Sequence, residues 1–277
     1  MAQKRLNKNL IVAMTLMGCA LVVAASAVAL SRLKLRDPEY YIELARQNEE
    51  QEQWRTAAMF YRKALLRTND AAHLVSFGDM MLNLGEVQQA LGSWEQALIQ
   101  QPDLAKAHRR RLELLLEYAR LGGGVATWNR VHDAAEAFLN AAFTPETHDE
   151  AFARHANGLA LIGLSRQEAD NTTRGEAELR RAAELAPDVV DYALDVAAQD
   201  VRRGRIEPAE RLYGELLQRF PEPGPNGAAC RTAYARFLAS QGRLDEARTV
   251  IDQAVGLAVG HGEALEEARL ALASLLV

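Results

Sequence analysis

Residues 84–104 read LGEVQQALGSWEQALIQQPDL, and the order of small and large side chains in this stretch constrains the fold more than any other feature of the chain. Ala90, Trp94 and Ala97 alternate small, large, small at helical spacing, Gly85 precedes them as a turn residue, and Pro102 follows as a terminator. Helices approach closely only where small residues face one another, and proline cannot continue a helix because it lacks a backbone N–H. With Gly78 at a close crossing on the preceding helix, the stretch predicts a two-helix unit over 71–104.

The same register returns along the chain. Gly204, Ala209, Tyr213, Leu216 and Pro221 repeat it over 190–223, and Gly242, Ala247, Ile251 and Ala254 over 228–261. Ala57, Tyr61 and Ala64 repeat it over 38–70; Ala134, Phe138 and Ala141 over 105–145; Ala182 and Pro187 before 190. One such match is weak, since Ala and Leu at helical spacing occur in any bundle, but copies in one register predict stacked helical hairpins. Intervals lengthen in the middle, where LGGG at 121–124 and the polar run SRQEADNTTRG at 165–175 are expected as inserted loops. PEPGPNG at 221–227 reads as a linker.

On these residues the chain resembles the tetratricopeptide repeat family over 38–261, although no unit carries that family's tryptophan near the start of its first helix. The resemblance implies an all-α, right-handed solenoid of about six helical hairpins, with first helices lining the concave side. Residues 262–277 read as a final first helix or cap whose apolar end packs back, meets a partner, or continues into further chain. Chaperone-binding members grip a carboxylate with Lys and Asn on successive first helices. The matching positions here are Ile42 and Arg46, Val75 and Asp79, Leu194 and Ala198, Thr232 and Arg236, so that clamp is absent. These eight remain the candidate partner-binding residues, a mixed apolar and charged groove suited to a helix or an extended segment.

Residues 10–30 form 21 consecutive uncharged positions, long enough for one transmembrane helix. A basic tail, 1–9, precedes this run and a basic linker, 31–37, follows it. The run exceeds a usual signal-peptide core, although Ala27-Val28-Ala29 has the form of a cleavage site. Of the 32 basic and 37 acidic residues, six basic and no acidic ones lie in 1–36, so the remaining body carries 26 bases against 37 acids. An acidic body argues against nucleic acid as the main ligand. The short basic tail favours an inside N-terminus with the repeats outside, periplasmic in a bacterial inner membrane; repeats on the cytoplasmic face, as in a recruitment or quality-control adaptor, are the other possibility. By resemblance to anchored repeat proteins, the expected setting is envelope assembly, secretion or polysaccharide export.

No catalytic residue, metal site or cofactor is expected. His148 and His155 lie about 10 Å apart along a helix, too far for one zinc ion, whose usual helical ligands are three or four residues apart. LGGGV lacks the strand and lysine of a phosphate loop. The alternative readings are an enzyme using the His148–His155 region, or the regulatory N-terminal part of a longer enzyme. Arg109-Arg110-Arg111 and Arg202, Arg203 and Arg205 read as solvated charge or as docking points for acidic partners.

Overall fold

Each expected unit closes through one turn, and the turn explains where its helices stop. Gly85 has φ +77° and Gly204 +72°, the left-handed region that glycine enters without a Cβ penalty. In the first, the N–H of Gly85 bonds the carbonyl of Leu82 at 2.9 Å and that of Glu86 bonds Met81 at 2.8 Å; Gly204 and Arg205 do the same to Val201 and Asp200, both at 2.9 Å. This pair of bonds satisfies carbonyls that a helix end leaves open. At the corresponding place in the first unit stands Glu52, with φ +56° and the same two bonds, to Glu49 at 2.9 Å and, through Gln53, to Asn48 at 2.8 Å.

The structure, a computed structural model, describes residues 37–141, 147–165, 170–258 and 260–275, with positions 17, 22, 23 and 26. Thirteen helices follow residue 37 among the described residues. They are α1 (Pro38–Glu50), α2 (Trp54–Leu65), α3 (Ala71–Asn83), α4 (Val87–Gln100), α5 (Ala105–Arg120), α6 (Val125–Leu139) and α7 (Thr147–Gly163). The rest are α8 (Asp170–Leu185), α9 (Val190–Arg202), α10 (Ile206–Arg219), α11 (Pro225–Ser240), α12 (Leu244–Leu257) and α13 (Gly262–Leu275). There is no strand among the described residues. The expected span at 10–30 lies outside the described residues apart from those isolated positions, and among the described residues no helix is long and apolar enough to cross a membrane.

Chain contacts divide into two compact units, Met1–Ala107 and His108–Val277. In the first, α1 packs on α2, α2 on α3 and α3 on α4. In the second, each helix from α6 to α13 packs on its chain neighbour, and α9 with α11 and α11 with α13 also touch. That alternation of adjacent and next-but-one contacts is how stacked hairpins bury faces that no single hairpin can cover. The repeating small, large, small positions form the core: Ala90, Trp94 and Ala97 are all 0% exposed. Their counterparts Ala57, Tyr61, Ala64, Ala209, Tyr213, Leu216, Ala247, Ile251 and Ala254 are likewise buried.

Close crossings complete the hairpins. A Cβ on Gly78 would lie 2.5 Å from Nε1 of Trp94, so glycine there leaves room for the indole, whose N–H bonds the Val75 carbonyl at 3.2 Å. Between α7 and α8 the approach is backbone on backbone. A Cβ on Gly158 would meet the Gly175 carbonyl oxygen at 2.8 Å, and one on Gly175 would meet that of Gly158 at 2.7 Å.

Two expectations change. The run 165–175 is helical from Asp170 onward, with Asn171 and Gly175 buried, because Gly175, Leu179 and Ala182 supply the small, large, small order that the polar composition masked. The linker at 221–227 ends at Gly224, and Pro225 starts α11, a position where proline's missing N–H costs nothing. Helix α13 packs its Ala268 and Ala271 against Ala235, Ile251 and Ala254, and Leu270 on its other face is 65% exposed.

Two substitutions separate crowding from helix propensity. Gly78→Ala should lower stability by about 1–3 kcal/mol through overpacking against Trp94. Gly92→Ala, exposed within α4 with nothing near its Cβ position, should raise stability by about 0.5–1 kcal/mol. Urea unfolding followed by circular dichroism reads both.

Candidate protein-binding groove

Within the second unit a groove of about 930 Å³ runs along α7, α9 and α11. Its floor is apolar, built from Leu159 and Ile162 of α7, Leu194, Ala198 and Val201 of α9, and Ala229 and Ala233 of α11. These helices open their hairpins, and Trp128 of α6 and Tyr213 of α10 reach the groove from closing helices. Charge lies along the rim: Arg120, Arg202 and Arg236 against Asp191, Asp195 and Glu267. Asp195 accepts from the buried His155 ring at 2.7 Å and pairs with Arg120 at 3.4 Å. The His155 ring also lies 4.4 Å from Tyr192. Arg236 pairs with Glu267 at 3.0 Å.

The eight residues expected to line a groove divide by burial. Ile42 and Val75 are 1% exposed and Thr232 is 2%, so these three side chains belong to the core and are not offered to a partner. Asp79 is also buried and pairs with Lys106 at 3.4 Å. Arg46 is exposed on α1. Leu194, Ala198 and Arg236 line the groove. On α9 the groove takes positions 191, 194, 195, 198, 201 and 202, a stripe that the carried-over clamp positions sample only twice. Sequence reasoning therefore missed Asp191, Asp195 and Arg202, which a helical projection of α9 around Leu194 and Ala198 would have placed beside them.

The arginine runs, Arg202 apart, have acidic partners within the chain. Arg109 bonds Glu113 at 2.9 Å and also Asp149, and its guanidinium lies 5.1 Å from the centre of the Phe152 ring. Its pKa is raised because these carboxylate bonds outweigh burial, which acts the other way. Asp200, 2% exposed, accepts from Arg205 and from Arg180 of α8, both at 2.7 Å. Arg205 also reaches Glu176 at 2.7 Å, and Arg203 lies 3.2 Å from the same carboxylate. Five charges thus join α8 to the α9–α10 turn.

His148 bonds Asp188 at 3.0 Å, which holds that carboxyl below its usual range, and His155 is committed to Asp195. Among the described residues no group of three or more His, Cys, Asp or Glu side chains is placed to hold a metal ion. Cys230 is 1% exposed in the core with Val190, Ala193 and Leu216, and burial pushes its thiol up to about 11.

Solved structures share this arrangement. PilW, described as a type IV pilus biogenesis factor, superposes with a TM-score of 0.59 at 16% identity, over 83% of this chain and 96% of its own. PilF from Pseudomonas aeruginosa gives 0.56 at 16% identity, over 87% and 99%. The C-terminal part of a TPR repeat-containing protein from Cytophaga hutchinsonii gives 0.59 at 13%, over 86% and 90%. The fold is that of a tetratricopeptide-repeat protein. No family model matches the sequence, and no curated protein matches it. At these identities the likeness establishes the tetratricopeptide-repeat fold, and function must come from the groove.

Removing one buried charge tests the cluster. Asp200→Asn leaves two guanidinium groups facing a neutral amide and should cost about 2–4 kcal/mol, whereas Asp188→Asn, fully exposed, should leave the melting temperature unchanged. Reactivity of Cys230 is a second readout. At 1% exposure the thiol is closed to reagent in the folded protein, so maleimide should modify it only after denaturation. A raised pKa also means that this group's contribution to stability is present below pH 9, the thiol's ordinary pKa, and is lost as pH rises toward about 11. Alkaline melts of the native protein and of Cys230→Ala check that sign.

Proposed function

We propose that this chain is a membrane-tethered scaffold that holds protein partners in the groove along α7, α9 and α11, without catalysing a reaction. The groove carries the reading: an apolar floor on first helices, open and bordered by charge, fits a protein segment better than a small substrate. The tether rests on the 21-residue uncharged run at 10–30 with its basic flanks. The expected setting is envelope assembly, secretion or export, with the repeats outside the membrane. The description of PilW as a type IV pilus biogenesis factor adds to that setting by analogy of fold. An acidic body selects against nucleic acid.

Photo-crosslinking in intact cells tests the scaffold. A benzophenone amino acid at Ala233, half-buried in the groove, should give a covalent adduct with another protein. The same group at Leu66, 80% exposed in the first unit, should not. Absence of adducts at Ala233 under several growth conditions would sink the reading. The tether has its own test: the full chain should sediment with membranes after an alkaline wash, and deletion of residues 10–30 should release it. Topology is better read from Leu66→Cys than from Cys230, whose burial blocks labelling on either side.

A further inference from the structure

The charges around the groove are not equivalent. Asp195 is bonded to His155 and Arg120, and Arg236 to Glu267. Two groups on α9 are left open. Asp191 has no ion pair among the described residues, and Arg202 has only a long bond, 3.5 Å, to the neutral side chain of Gln199. Both are exposed and both line the groove. Eleven residues separate them, which on a helix is about 16 Å along the axis and about 20° around it, so they stand on one stripe. Between them along the groove are Leu194, Ala198 and Val201, together with Asp195, whose carboxylate is already held by His155 and Arg120. Leaving out that committed carboxylate, the stripe reads acid, apolar, apolar, apolar, base.

The floor also restricts the occupant's backbone. The polar side chains among the described residues that line the groove are the rim charges with Ser240, Tyr213 and Trp128, and the floor contributed by α7, α9 and α11 is otherwise apolar. An extended segment laid along that floor would turn part of its backbone N–H and C=O groups toward apolar side chains, and leaving such groups unpaired is costly. A helix satisfies its own backbone and presents side chains only.

We infer that the groove takes an amphipathic α-helix bearing one basic and one acidic side chain three turns apart, the base over Asp191 and the acid over Arg202, with an apolar face between. The inference rests on the groove being a protein-binding site. It adds the partner's secondary structure, its charge pattern and the spacing of that pattern.

Four synthetic helical peptides with one apolar face test it, differing only at two positions eleven residues apart: Lys and Glu, Lys and Lys, Glu and Glu, or Gln and Gln. Fluorescence anisotropy with the full chain in mild detergent should show the Lys and Glu peptide binding tightest. Each mismatched end should weaken binding by roughly fivefold at low salt, and the differences should shrink at high salt. Asp191→Lys should transfer the preference to the Glu and Glu peptide, and Arg202→Glu to the Lys and Lys peptide. Both positions are exposed, so the variants should keep the native circular dichroism spectrum. A central proline in the Lys and Glu peptide should abolish binding. Equal affinity for all four peptides would overturn the charge register while leaving the groove reading intact. Undiminished binding of the proline peptide would overturn the helical occupant. Binding of none would overturn the inference, and crosslinking at Ala233 then decides whether the groove reading falls with it.

Discussion

Everything in this chain depends on how closely two helices of a hairpin approach. Where Gly78 leaves out a side chain, Trp94 fills the space and its indole N–H finds the Val75 carbonyl. Where both partners are glycine, as at Gly158 and Gly175, the helices meet backbone to backbone. Either arrangement sets the spacing of a hairpin, and that spacing fixes which residues of the opening helix face outward. The groove on α9 is therefore a product of crossings made on other faces, and the core is dominated by alanine because small residues permit the approach.

Much of this was legible in the sequence, because the pattern that codes it is periodic. Helices α3 and α4 fall within the 71–104 unit and α9 and α10 within 190–223, since turn glycine and small, large, small order leave few alternatives. The start of α8 was not legible. Its first turn is polar, and the Gly175–Leu179–Ala182 order becomes visible only when Gly158 is seen opposite it. The groove was legible in part. Carried-over positions such as Val75 and Thr232 fell on the core side of their helices, since their side chains here serve the stack. Asp191 and Arg202 gave no local signal, being ordinary charges until α9 is folded and its neighbours are placed.

Electrostatics divide the arginines by role. The run at 109–111 and the cluster at 202–205 look alike in sequence, yet Arg109, Arg203 and Arg205 are held by acids from neighbouring helices, and Arg202 by none. A buried carboxylate such as Asp200 is stable only because two guanidinium groups reach it, one from α8 and one from the α9–α10 turn. Removing one partner of such a pair would leave an uncompensated charge, so the two guanidinium groups and the carboxylate depend on one another.

The three tryptophans of the chain give the fold a built-in optical division of labour. Trp54 and Trp94 belong to the first compact unit, and Trp94 is wholly enclosed. Trp128 belongs to the second, lines the groove and sits over Gly163, where a Cβ would lie 2.8 Å from its ring. Emission from Trp128 thus senses the polarity of the groove directly, while the other two indoles report on a part of the chain that the groove does not include. Trp128 thus gives the native chain an intrinsic fluorescent gauge of the groove, with no added dye.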